Sequence, residues 1–253
     1  MDDGYDRRLT IHGGGEEAVV LVPGMDGTGR LFHRQVPLLA KSYRVATYAL
    51  RDATTSMDVL VADLASVIDV AAPATRRAIV IGESFGGTLA LSLALAVPDR
   101  VSALVILNSF PYFVPQRHLH LARNGLKIMP WGAMGLLRRL TAFRLHSRHT
   151  ERDEIRRFLE LTSHARREGY LNRLKLLTSY DVRHRLQDLR CSTLFLAAEL
   201  DHLVPSLAQA QYMAARVPGA ALRVLQRQGH TCLIAPDIDL EQILTDWREE
   251  RRE

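Results

Sequence analysis

Apolar residues along this chain fall into two alternating patterns. Short unbroken runs, Ala18–Val22 (AVVLV), Val45–Tyr48, Ala78–Ile81 (AIVI), Leu104–Leu107 (LVIL), Thr193–Ala197 (TLFLA) and Ala221–Leu225, read as strands. Runs without polar alternation are expected of strands buried on both faces of a parallel sheet. Between them lie stretches of helical periodicity at Ser56–Val70, Phe85–Ala96, Ser206–Arg216 and Asp237–Trp247. Ser56 is a suitable N-cap, and Leu60, Leu64, Val67 and Ile68 then share one helical face. This alternation predicts β-α-β crossovers and a mostly parallel, doubly wound α/β sheet. His12-Gly13-Gly14-Gly15 separates a first strand near Arg8–Ile11 from Ala18–Val22 and suggests an antiparallel hairpin.

From Phe110 to Asp188 the strand rhythm stops. Leu136, Leu137, Leu140 and Phe143 recur at helical spacing, as do Ile155, Phe158, Leu159 and Thr162, then Leu171, Leu174 and Leu177. The expected organisation is therefore a core of residues 1–109 and 189–253, with a helical insertion at 110–188 entered through Pro111 and Pro115. No internal repeat or low-complexity tract is evident.

Charge sharpens that division. Over all 253 residues the formal net charge is +5, but residues 111–190 hold 17 Lys or Arg against 7 Asp or Glu. The rest of the chain holds 16 against 21 and is slightly acidic. A basic segment could attract an acidic acyl-carrier protein or a coenzyme A phosphate. Its charges are scattered along amphipathic helices without aromatic interleaving, so nucleic acid is not an expected partner. The basic amphipathic stretch Trp131–Leu145 could lie on a membrane surface. No run of 18 apolar residues occurs, so no transmembrane segment is expected. A polar, acidic start (MDDGYDRRLT) and only two cysteines, Cys191 and Cys232, favour a cytoplasmic protein with reduced thiols.

The most specific chemical signal is Gly82-Glu83-Ser84-Phe85-Gly86-Gly87, placed where a buried strand runs straight into a helix. A G-x-S-x-G there forms a tight elbow that presents the serine hydroxyl above the sheet edge. Side chains at positions 82 or 86 would collide with neighbouring backbone. The Phe85 N–H, at the new helix's start, would point at an oxyanion forming beside Ser84. A serine needs a base to take its proton. Of ten histidines, His230 follows the last strand in a loop on the same sheet edge, and it is the expected base. Asp201, after the strand TLFLA, is the candidate to orient it. Glu199, two residues earlier, is the fallback, and Asn108 ends the preceding strand but carries no charge. The loop Pro23-Gly24-Met25-Asp26-Gly27-Thr28-Gly29 would aim the Met25 N–H at the same oxyanion, with Asp26-Gly27 as a simple turn. His118 and His120 have the spacing of a metal pair but lack nearby carboxylates, so neither a metal nor a cofactor is expected.

With these motifs in place the chain resembles the α/β-hydrolase superfamily, over nearly all of residues 8–250 outside the insertion. The resemblance implies the α/β-hydrolase fold, the chain order Ser84, Asp201, His230, and a helical cap at the position of the insertion. PGMDGTG together with GESFGG is also similar to bacterial esterases related to the hydrolase part of plant phytyl-ester synthases. Two departures stand out: Pro23-Gly24 replaces the frequent His-Gly, and Ala198 replaces the Gly that often opens the acid loop. His12-Gly13-Gly14-Gly15 resembles a lipase oxyanion motif but precedes its strand. The implied activity is serine hydrolysis of small carboxylic esters with an apolar acyl group through an acyl-enzyme on Ser84. Thioester hydrolysis or acyl transfer is the alternative, and a non-catalytic ligand receptor is the reading from another class. Met129, Trp131, Met134, Leu136, Leu137 and Phe143 are candidate pocket walls.

Overall fold

A computed structural model describes residues 8–113, 116–133, 136 and 150–252. Seven strands, β1 (Thr10–His12), β2 (Ala18–Val22), β3 (Arg44–Thr47), β4 (Ala78–Glu83), β5 (Val101–Leu107), β6 (Ser192–Ala198) and β7 (Ala221–Leu225), form one sheet in the order β1-β3-β2-β4-β5-β6-β7. All neighbours run parallel except β1 with β3. This is the mostly parallel, doubly wound α/β sheet expected from the alternating pattern, in the arrangement that the resemblance to α/β hydrolases implies.

The unbroken apolar runs are explained by burial on both faces. On β2, Ala18, Val20 and Val22 face one core cluster, with α2 (Met57–Ala71), α3 (Phe85–Ala96) and α7 (Ser206–Ala214). Val19 and Leu21 face the other, with α1 (Gln35–Leu39) and α8 (Leu240–Glu250). Ser56 caps α2 as expected, its Oγ accepting from the Val59 N–H at 3.4 Å, and Leu60, Leu64, Val67 and Ile68 are buried. Almost all of α3 is buried, and Tyr180 donates to its Thr88 carbonyl at 3.0 Å. That covering contact comes from the insertion.

Two expected boundaries are corrected. β1 makes no hairpin with β2 but pairs with β3, because β2 already has parallel partners on both edges. The glycine run instead threads closely past the turn before β3: a Cβ on Gly13 would sit 2.5 Å from the Ala40 carbonyl oxygen, and one on Gly15 2.3 Å from that of Ser42. The last helix begins at Leu240 rather than Asp237, since the Asp239 carboxylate caps the N–H groups of Glu241 and Gln242.

Between β5 and β6 the described residues form α4 (Gln116–Ile128), α5 (Arg152–Ser163) and α6 (Arg167–Leu177). The ends of this segment meet where the Val182 N–H donates to the Pro111 carbonyl at 2.9 Å. Glu154 of α5 accepts from His33 (2.8 Å) and Arg34 (3.2 Å) of the core. Ion pairs within the insertion engage Arg156, Arg183 and Arg185 with nearby aspartates, so part of its positive charge is neutralised locally. Among the described residues no helix is long and apolar enough to cross a membrane. Most of the Trp131–Leu145 stretch lies outside the described residues, as does the Leu137–Phe143 periodicity.

Candidate active site

Parallel strands deliver their following loops to one edge, and the sheet order puts the relevant ones side by side. β2 and β4 pair with Val22 opposite Gly82, so the Gly24–Gly27 turn and the Ser84 elbow emerge as neighbours where the winding direction switches. The loops after β5, β6 and β7 complete the same edge.

Ser84 lies between β4 and α3 at φ 54° and ψ −119°, a conformation that non-glycine residues rarely hold. Its surroundings enforce it. The Ser84 N–H donates to the Leu107 carbonyl at 2.9 Å, and Ser109 Oγ donates to the Ser84 carbonyl at 2.7 Å. The glycines permit the turn: a Cβ on Gly82 would lie 2.4 Å from the Gly86 oxygen, and one on Gly86 2.1 Å from the Val22 oxygen.

His230 and Asp201 come to this serine from the last two strand ends. His230 Nε2 is 3.2 Å from Ser84 Oγ, and His230 Nδ1 is 2.7 Å from Asp201 Oδ2. With Nδ1–H donated to the carboxylate, Nε2 is free to accept the serine proton. Asp201 Oδ1 accepts from the Leu203 and Val204 N–H groups at 2.9 and 3.0 Å, and Ser206 Oγ donates to Oδ2. Asp201 therefore caps its own turn and orients the histidine at once. Burial pushes the Asp201 carboxyl up, but His230 and these donors hold it below its ordinary value. Burial lowers the His230 pKa; the Asp201 charge and hydrogen bond, with a contribution from Glu83, outweigh it and raise the imidazole overall. Glu199, the fallback acid, instead accepts from the Arg227 N–H at 2.8 Å.

Two residues of this site had no assigned role in the sequence. Asn108, at φ 48°, accepts from the Ala198 N–H at 2.8 Å and donates from Nδ2 to the His230 carbonyl at 2.7 Å. One buried amide thus ties the acid-bearing strand to the histidine loop. Its only sequence signal is a lone polar residue ending the apolar run LVIL. Glu83, buried beside the serine, places Oε1 3.7 Å from His230 Nε2. Its carboxyl is pushed up to about 7, chiefly by burial, with His230 pulling it down and Asp26 and Asp201 adding to the rise. Because the Glu83 carboxylate helps hold the His230 proton, Glu83→Gln should move the acid limb of the kcat/KM profile to lower pH. An unmoved limb would show that the two groups titrate independently.

Met25 and Phe85 line the same cavity as Ser84 and His230. Asp26-Gly27 is a turn, as expected, with the Gly27 N–H donating to the Gly24 carbonyl at 3.1 Å and Gly27 at φ 69°. The cavity has a volume of about 430 Å³ and mostly apolar walls, among them Leu31 of the core and Phe110, Phe113, Leu126, Phe158 and Leu174 of the insertion. The walls differ from those expected. Leu136 is 61% exposed and Met129 does not reach the cavity, because the apolar faces of α5 and α6 fill that place. Trp131, Met134, Leu137 and Phe143 have side chains outside the described set, as has His118 of the H-x-H pair. Cys191 and Cys232 are both free thiols, and burial raises each.

The family model for the alpha/beta hydrolase fold matches residues 17–235. The chain belongs to the α/β-hydrolase family. This α/β hydrolase is 27% identical to a protein from Caulobacter vibrioides NA1000 / CB15N named "Putative carbamate hydrolase RutD", over 94% of both chains. Its fold is similar to that of the enol-lactonase from Burkholderia xenovorans LB400, with TM-score 0.86, 19% identity and 98% of each chain covered. A thermophilic esterase from Thermogutta terrifontis superimposes with TM-score 0.83 at 20% identity, covering 96% of this chain and 92% of that one. Family and relatives together support hydrolysis as the class of reaction.

Proposed function

We propose that this α/β hydrolase cleaves small carboxylic esters through an acyl-enzyme on Ser84. The observation that carries the reading is the relay of Ser84, His230 and Asp201, spaced at 3.2 and 2.7 Å, opening on a largely apolar cavity. His230 Nε2 takes the Ser84 proton as Oγ bonds to the acyl carbon, and the carbonyl electron pair moves onto oxygen. The Met25 and Phe85 N–H groups are assigned to that oxyanion. His230, held by Asp201, returns the proton to the departing alcohol as the C–O bond breaks. Water then attacks the acyl-enzyme by the same route and restores Ser84. The helices of the insertion act as a cap, and their apolar side chains select the acyl group.

Carbamates are the second reading, favoured by the RutD likeness. The same attack would operate on a carbonyl made less electrophilic by nitrogen, so ester turnover should exceed carbamate turnover. A fluorophosphonate label located on Ser84, with rates over a panel of p-nitrophenyl esters, carbamates and acyl thioesters, tests both readings. Ester hydrolysis that is fast, Ser84-dependent and strongest for apolar acyl groups is expected. Failure to label Ser84, or turnover confined to thioesters, would overturn the ester assignment.

A further inference from the structure

Among the described basic residues of the insertion, Arg173 is set apart by being only 1% exposed. It projects from α6, yet its hydrogen-bond partners, Met25, Asp26 and Asp52, all belong to the core. Nε donates to the Met25 carbonyl at 2.9 Å, Nη2 to the Asp26 carbonyl at 3.4 Å, and Nη1 to Asp52 Oδ1 at 3.1 Å. The space is built for this guanidinium from both sides. A Cβ on Gly27 would stand 2.6 Å from Nη1, and one on Gly169 would stand 1.9 Å from Asp52 Oδ1 and 2.4 Å from Nη2. Asn172, one residue earlier on α6, donates to the Asp52 carbonyl at 2.8 Å, which seats the helix on the same loop.

The two carbonyls that Arg173 holds are the middle of the turn whose Met25 N–H is assigned to the oxyanion. A peptide unit is planar, so holding the carbonyls of residues 25 and 26 fixes the two planes that follow Met25, while the plane carrying the Met25 N–H is held at its Gly24 carbonyl, and together these limit how far the Met25 backbone can rotate. Other restraints on the turn lie elsewhere: Gly27 N–H to the Gly24 carbonyl within it, Leu50 N–H to the Gly27 carbonyl at 2.8 Å on the β3 side, and the Asp26 carboxylate, which accepts from the Thr28 N–H at 2.9 Å and from the Thr28 hydroxyl. Among the described residues, only the guanidinium makes a directional bond between the insertion and this turn. A planar guanidinium reaches two carbonyls and a carboxylate from three separate nitrogens in a rigid fork, whereas a lysine presents its three donors from a single nitrogen.

We propose that Arg173, paired with Asp52, is a positioning residue through which the insertion aligns the oxyanion loop, so that catalysis depends on the insertion being seated. This rests on the acyl-enzyme reading above. Arg173 is buried and Asp52 half-buried, so removing the carboxylate leaves a buried charge with less compensation, and folding must be followed separately.

Arg173→Lys, Arg173→Ala and Asp52→Asn, assayed on p-nitrophenyl butyrate beside wild type and Ser84→Ala, test it. Loss of one oxyanion donor typically lowers kcat by about 10²–10³-fold, and misalignment should reach roughly 10–100-fold. The expected result is that fall in kcat for Arg173→Lys with KM changed less than about threefold, and partial recovery of Arg173→Ala by millimolar guanidinium. Asp52→Asn should fall less, because the carbonyl contacts survive. If folded Arg173→Lys and Arg173→Ala keep wild-type kcat, or guanidinium restores only their melting temperature, the residue is structural and the proposal is wrong. Should Arg173→Ala fail to fold, the kcat of Arg173→Lys alone decides. If wild type shows no Ser84-dependent turnover, it is the acyl-enzyme reading that has failed.

Discussion

Ser84→Ala is expected to lower kcat for p-nitrophenyl butyrate by about 10⁴-fold or more while the protein stays folded. Nucleophile removal in triad enzymes costs this much because the remaining groups can only polarise the substrate and hold water near it. The fold should tolerate the change. Ser84 Oγ has no assigned partner beyond His230, and the backbone contacts to Leu107 and Ser109 do not involve the side chain. Alanine leaves the φ 54° strain in place. Ser84→Gly would relieve it, so that variant should be equally inactive but more stable, by about 1 kcal/mol. A melting temperature higher for glycine than for alanine, with both inactive, would show that backbone strain is maintained for the sake of the hydroxyl. Wild-type turnover in either variant would remove Ser84 from the mechanism.

Asp201→Asn should be nearly as damaging, at about 10³–10⁴-fold in kcat. The amide cannot satisfy all of the carboxylate's partners. Leu203 N–H and Val204 N–H both donate to Oδ1, while His230 Nδ1 and Ser206 Oγ converge on Oδ2. If the amide nitrogen faces the backbone pair, donor meets donor. If it faces His230, it donates to Nδ1, and the imidazole proton moves to Nε2, where it can no longer accept from Ser84. The pH dependence has a definite sign. Asp201 is the largest influence raising His230, so its neutralisation should lower the imidazole pKa and shift the acid limb to lower pH. Because the Asp201 carboxyl is depressed in the folded state, its stabilisation is present above its unfolded value and lost as pH falls through the folded one. The variant's melting temperature should therefore lie below wild type at pH 7 and approach it in acid. Retention of activity within tenfold would return the orienting role to another acid, with Glu199→Gln as the comparison.

Local pattern carried much of this structure. AVVLV and FGGTLALSLALA became β2 and α3 at the expected boundaries, because an apolar run ended by glycine or proline has few other low-energy outcomes. The elbow was legible for a related reason: glycines at 82 and 86 are demanded by contacts within a few residues or with the adjacent strand. The hairpin was misjudged because strand partners are chosen by the whole sheet, and β3 competes for both β1 and β2.

Beyond the serine, acid and base that their motifs and positions single out, long-range side-chain partners were not legible. Nothing around Asn108 in the sequence points to residue 230, and nothing in the arginine-rich insertion distinguishes Arg173 from its solvated neighbours. A basic segment read as a possible docking surface proved to contain the most buried cation described. The sequence by itself determined the layered α/β architecture, the serine elbow and the strand ends that carry an acid and a base. Only the tertiary structure decided that Asp201 rather than Glu199 meets His230, that Glu83 shares its field, and that α6 grips the oxyanion loop. Periodicity and turn chemistry are properties of neighbours along the chain, whereas hydrogen-bond partners 29 to 148 residues apart exist only once packing has excluded every other arrangement.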